Sequence, residues 1–124
     1  MVTRNEGLVE NAAAMGRHFL ERLRQAVGDH PFVADVRGDG LMLAVEFMAD
    51  KVECRPFAAA AGAHRVVAKK AIEQGVLVRP LPFIEVIAFS PALSITMAEI
   101  DEAVAAFSRG LAQATPELRR LANA

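Results

Sequence analysis

The side chains that could do chemistry are few and scattered. Lys51, Lys69 and Lys70 are the only lysines in 124 residues, His18, His30 and His64 the only histidines, and Cys54 the only cysteine. A lysine that acts as a nucleophile needs a desolvated pocket. Lys69 and Lys70 fall on the solvated side of a helix and Lys51 in a polar loop, so ordinary surface roles are expected of all three. The histidines form no i, i+4 pair on a helix, and no metal centre is expected. His64 is placed near the inner face of a helix, where a buried imidazole with satisfied nitrogens is the expectation. Cys54 stands beside Arg55 without a histidine or acid partner and reads as an ordinary loop thiol. Glu46, mid-strand between apolar neighbours, is expected to face solvent or pair with an arginine. Arg37-Gly38-Asp39 spells an integrin-recognition tripeptide, and Gly38 and Gly40 could be mistaken for a phosphate cradle. A hairpin turn accounts for both, because no helix follows to supply a dipole.

The elements that must position these groups follow from length and pattern. A chain of 124 residues suits one compact domain, read here as spanning 1–124. Hydrophobic residues make up 53% of it, enough for one core and for some apolar surface committed to an interface. Fourteen basic and 15 acidic residues leave a net charge of −1 with no long run of one sign, which recommends neither nucleic acid nor an anionic membrane as partner. The stretch 76–95 is the longest mostly apolar one, but Arg79, Pro80, Pro82, Glu85 and Pro91 break it, unlike a transmembrane helix. The first residues carry Arg4, Asn5 and Glu6 where a signal peptide would be apolar, and a single cysteine allows no internal disulfide. Both observations lead to a cytoplasmic expectation.

Residues 6–27 have the period of an amphipathic helix, with Leu8, Ala12, Phe19, Leu23 and Val27 on one stripe and Val9, Gly16 and Leu20 widening it. Strands are expected over 32–36 and 41–47, with Arg37-Gly38-Asp39-Gly40 as the turn between them. A loop over 48–62 leads to a second helix, 63–74, whose core face would hold Val67, Ala68, Ala71 and Ile72, and which Gly75 ends. A short strand over 76–79 is followed by Pro80-Leu81-Pro82, expected to interrupt the ladder, and by a strand over 85–89. Thr96 and Glu99 have capping-box spacing before a helix over 97–112, with Ile100, Val104, Phe107 and Leu111 inside. Thr115-Pro116 then reads as the start of a separate last helix. The order predicts an α+β domain: a small antiparallel or mixed four-stranded sheet with helices packed on one face.

Within this frame several motifs occur in a fixed order. Val33-Ala34-Asp35-Val36-Arg37-Gly38-Asp39-Gly40-Leu41-Met42 runs into Ala44-Val45-Glu46-Phe47. A loop with Asp50-Lys51 and Pro56-Phe57 precedes Gly75-Val76-Leu77-Val78-Arg79-Pro80. Ser90-Pro91-Ala92-Leu93-Ser94-Ile95-Thr96 then leads to Glu99-Ile100-Asp101. Together these resemble the C-terminal small domain of class III pyridoxal-phosphate aminotransferases, the group of the ω-amino acid:pyruvate transaminases, over residues 6–112. Ala92 replaces the family's second proline. Pro82-Phe83-Ile84-Glu85 replaces a polar glycine-containing turn near the substrate entrance, which bears on substrate preference.

The resemblance implies a function for the intact enzyme: transfer of an amino group between an amine or amino acid and a keto acid, in a homodimer with active sites at the interface. It also implies that Arg79 is a mobile substrate-binding arginine. A guanidinium pairs with a carboxylate through two parallel hydrogen bonds, and a strand-end position lets it swing into a cleft. The residues that hold pyridoxal phosphate in the family belong to a larger domain with no match here: a lysine bonded to the cofactor aldehyde, an aspartate on the pyridine nitrogen, and a phosphate cup. The chain alone is therefore expected to bind no cofactor and to lack catalysis, and to partner the missing large domain or itself. Two other readings stand beside this one. One is a freestanding domain that binds a small molecule such as an amino acid at a dimer interface; the other is an interaction module without ligand.

Overall fold

The computed structural model describes residues 2–58, 61–82, 84–91 and 95–123, with side chains from residue 10 onward. Phe83 and the Ala92-Leu93-Ser94 part of the last motif lie outside the described residues, as do the side chains of Leu8 and Val9. The described elements are α1 (Val2–Val27), β1 (Val33–Asp39), β2 (Met42–Phe47), α2 (Ala63–Glu73), β3 (Arg79–Pro80), β4 (Val86–Phe89) and α3 (Met97–Ala122). The sheet order is β1-β2-β4-β3 and every pairing is antiparallel.

Side-chain alternation decides which face of the sheet is buried. Val36, Val45 and Ile87 stand in register on the inner face, next to the Leu43–Phe89 pair. All five are buried under the helices. Val33 and Val36 are three apart and would point to opposite faces of a regular strand. A register shift between Val33 and Asp35 inserts one extra residue, so both valines turn inward. The long helices are fastened to this face through aromatic edges. Phe89 of β4 meets Phe19 of α1 at 5.5 Å and Phe107 of α3 at 5.0 Å, both edge-on. Gly110 lets α3 lie against α2, where a Cβ would come within 2.7 Å of the Ala71 amide nitrogen. Gly16 does the same for α1, where a Cβ would land on the Gly40 carbonyl oxygen at the hairpin turn.

Several sequence expectations hold. The α1 stripe buries Phe19, Leu23 and Val27, and α3 buries Ile100, Val104, Phe107 and Leu111. Thr96 and Glu99 form the reciprocal capping box. Gly75, at φ 96°, ends α2 as expected, and there the Gly75 and Val76 amides donate to Ile72 and Ala71.

Five expectations are corrected. The hairpin turn is Gly40-Leu41 alone, because Gly40 at φ 58° reverses the chain in two residues and the ladder runs on through Asp39↔Met42. Residues 76–78 pair with no strand: the Val76 amide is already taken by the end of α2, so β3 is only Arg79–Pro80. Pro80 does not interrupt the ladder. It pairs with Ile87 on an edge strand, where a missing N–H leaves no partner unsatisfied, and the Leu81 amide continues the pairing to the Val86 carbonyl. Ile72 is 50% exposed and not in the core, since Val67, Ala68 and Ala71 already fill the face of α2 that meets the rest of the protein. No separate last helix begins at Thr115-Pro116. The Thr115 hydroxyl donates back to the Leu111 carbonyl at 2.8 Å, as a helix-interior threonine does. α3 continues because Ala114, Leu118 and Ala122 are buried, which outweighs the one hydrogen bond lost at Pro116.

Gly→Ala in mid-helix ordinarily stabilises by about 1 kcal/mol. At Gly16 the sign should reverse. A methyl group there forces α1 off the hairpin, at about 1–3 kcal/mol, so thermal unfolding of Gly16→Ala should show a midpoint lower by roughly 5–20 °C for a domain of this length. An unchanged or higher midpoint would show that α1 is not seated on the turn.

Candidate functional site

The outer face of the sheet carries one row that crosses all four strands: Arg37, Ala44, Ala88 and Arg79, each in register with the next. The two arginines are about 14 Å apart by strand spacing, with only alanine methyl groups between them. Their situations differ. Arg37 donates to Glu46 at 2.7 Å and to Asp35 at 3.1 Å, and these carboxylates, Glu46 foremost, hold its already high pKa higher still. Glu46 thus pairs with an arginine, one of the two options open to it. Arg79 is exposed on the edge strand and makes no hydrogen bond or ion pair among the described residues. Among the described residues nothing occupies either donor edge of its guanidinium, and the strand is paired only with β4.

Two clefts open elsewhere. One of about 830 Å³ lies beside the start of α2, with His64, Glu85, Glu46, Arg65 and Phe57 in its walls. Another of about 730 Å³ runs between the end of α2 and α3, with Leu77, Ser90, Glu102 and Arg109 among its walls. Arg79 lines neither of these two clefts.

The lysines have the ordinary surface roles expected of them. Lys51 donates to the Gly28 carbonyl just beyond the end of α1, at 3.3 Å. Lys70 pairs with Glu73 one turn away, and Lys69 is exposed. None faces either cleft, and the described residues hold no group of three His, Cys, Asp or Glu placed to bind a metal. Cys54 is exposed in a turn that Asp50 organises by accepting from the Val52 and Glu53 amides. Arg37-Gly38-Asp39 is paired strand, not a presented loop.

Two histidines carry more organisation than their spacing reveals. His64 is buried and satisfied, as expected, but its partner Glu85 was not foreseen. The two lie 21 residues apart, and no local signal joins them. His30 lies in the connection between α1 and β1 and fixes it to α3. Its Nδ1 accepts from the Phe32 amide, so the proton is on Nε2, which donates to the Thr115 hydroxyl at 2.9 Å. Burial foremost, and then the charges of Lys51 and Arg119, lower its pKa below the ordinary value.

With this geometry the comparisons with known proteins agree. The family model for class III aminotransferases matches residues 1–111, and the chain belongs to that family, whose members depend on pyridoxal phosphate. It is 35% identical over 119 residues to a diaminobutyrate–2-oxoglutarate transaminase of Halomonas elongata, covering 96% of this chain and 25% of that protein. It is 34% identical over 113 residues to a taurine–pyruvate aminotransferase of Bilophila wadsworthia, covering 87% of this chain and 24% of that protein. Among solved structures it superposes on the ω-transaminase of Pseudomonas jessenii with a TM-score of 0.82 at 34% identity, over 94% of this chain and 25% of the other. The chain thus spans about a quarter of the length of these relatives. No helix among the described residues is long and apolar enough to cross a membrane. Because the three lysines are tied to a helix end, a neighbouring glutamate or solvent, the residues present do not fit a covalent pyridoxal site.

The His30 arrangement has a signed consequence. Its folded pKa lies below the unfolded value of about 6.5, so its contribution to stability is present above that pH and lost as pH falls through the folded value. Denaturation midpoints should drop from pH 7.5 to 5.5, and the His30→Gln variant should lose part of that drop. An equal drop in the variant would mean that other groups are responsible.

Proposed function

We propose that this chain is the C-terminal small domain of a pyridoxal-phosphate-dependent class III transaminase, and that Arg79 is its contribution to the active site. The intact enzyme would transfer an amino group between an amine or amino acid and a keto acid. The single observation that carries the role of Arg79 is its guanidinium on an edge strand, without a partner among the described residues, in a row where the other arginine is neutralised by two carboxylates. Ala88 and Ala44 beside it leave room for a substrate or an opposing surface. Keto acids such as the 2-oxoglutarate and pyruvate named for the relatives carry the carboxylate that such a group would bind in two-point fashion.

The rest of the site would come from a larger domain. In support, Leu77 beside β3 is 88% exposed and Met42 on the outer face 64% exposed, apolar surface suited to a covering partner. When bound there, pyridoxal phosphate supplies the electron sink for amino transfer; the part assigned to this chain is to orient the acceptor's carboxylate and close the site. We read the intact enzyme as a cytoplasmic homodimer, a reading supported by the lone cysteine and by the family resemblance.

Two measurements test this. In a chimera, this chain replaces the matching quarter of the P. jessenii ω-transaminase. Activity should be retained, and Arg79→Leu should raise KM for pyruvate by about 10- to 100-fold, the scale of a lost hydrogen-bonded ion pair, with a much smaller effect on an uncharged amine donor. An unchanged KM removes Arg79 from the site. For the chain alone, borohydride reduction after mixing with pyridoxal phosphate should give only diffuse lysine labelling; stoichiometric labelling of a single lysine would contradict the need for another domain.

A further inference from the structure

His64 is the second residue of α2, and its side chain is only 4% exposed. Nε2 lies 2.7 Å from the Leu81 carbonyl oxygen and Nδ1 lies 3.0 Å from Oε2 of Glu85. The same Oε2 accepts the His64 backbone N–H at 2.8 Å. The residue at the N-cap, Gly62, makes no side-chain cap bond, so Glu85 is the anion that serves this helix start.

Proton counting follows from what each atom can do. A carbonyl oxygen only accepts, so Nε2 carries a proton. An ionised carboxylate also only accepts, so Nδ1 must carry one too; the alternative, a protonated Glu85 donating to Nδ1, has the same count. A neutral imidazole beside an ionised Glu85 would leave a nitrogen lone pair facing a carboxylate oxygen in a buried place. The arrangement therefore holds one proton more than a neutral histidine and a free carboxylate.

We propose that His64 and Glu85 form a proton-dependent clamp on the connection between β3 and β4, closed while the shared proton is held and released when it is lost. The clamp acts where it matters for the hairpin. Leu81 follows Arg79-Pro80 directly; its amide donates to the Val86 carbonyl and its carbonyl is held by His64, so both of its backbone groups are fixed. Arg65 adds a bond to the Pro82 carbonyl at 3.4 Å, and Phe47 of β2 donates to the Glu85 carbonyl. The charged groups facing this cleft are Arg65 from α2, Glu46 from β2 and Glu85 itself. Glu46 is engaged with Arg37, and no charged group of α3 is bonded to His64 among the described residues. The proposal does not depend on what Arg79 binds.

The direction is fixed by linkage: the closed state binds the extra proton, so raising the pH opens it. Where one proton is lost on opening, opening becomes about tenfold easier per pH unit. The test uses the 15N-labelled 124-residue chain between about pH 6 and 8.5. Expected are a His64 ring with both nitrogens bearing or sharing a proton at the low end, and protection factors of the His64 and Leu81 amides that fall about tenfold per unit above neutrality. Glu85→Gln removes the carboxylate that shares the proton; one amide atom cannot both accept the His64 N–H and donate to Nδ1, so protection should be lower at every pH and its fall with pH should disappear. A bare Nδ1 throughout with undiminished protection, or the same fall in Glu85→Gln, overturns the proposal. If that variant does not fold, the ring spectrum of the unaltered chain decides alone.

Discussion

The packing depends on one phenylalanine. Phe89 is the last residue of β4, and its ring is met edge-on by Phe19 from α1 and Phe107 from α3. This one side chain ties the first helix, the sheet and the last helix into a single core. Ring edges against ring faces fix angles as well as distances, so the two 26-residue helices cannot slide independently over the strands. Because both helices are drawn to this side, the other side of the sheet keeps its row of two arginines and two alanines for something else.

The glycines at the helix crossings serve the same end. Gly16 and Gly110 allow backbone to touch backbone, at the hairpin turn and at α2. The hairpin, which carries Arg37 and Glu46, is braced from below by α1. The edge hairpin, which carries Arg79, is braced by the start of α2 through His64 and Glu85. The sheet is thus supported at both ends by helices whose own contacts are close, while its outer surface stays free.

How much of this could be read in the sequence follows from separation along the chain. The capping box joins Thr96 to Glu99, three residues apart, and was legible. So were the helical stripes and the strand–turn–strand unit around Gly40. Pro116 misled because a local rule for proline was applied where burial of Leu118 and Ala122 decides the outcome. Ile72 misled because the period locates a helix face but not its width. The His30–Thr115 and His64–Glu85 bonds span 85 and 21 residues, and only the fold brings these partners together. Arg79 was singled out by resemblance to a family motif, and the structure adds that it has no partner of its own among the described residues.

The shortness of β3 has a consequence for a chain with so much apolar composition. An open strand edge is a template on which a further strand can grow, and long flat edges invite fibrous stacking. Here one edge consists of two residues, one of them a proline with no amide to offer. On the other edge strand, the Val36 carbonyl is already taken by the Arg24 side chain reaching across from α1. Neither rim presents an unbroken ladder, so contacts between copies of this chain are steered toward side-chain surfaces, which can separate again, and away from backbone zippers, which do not.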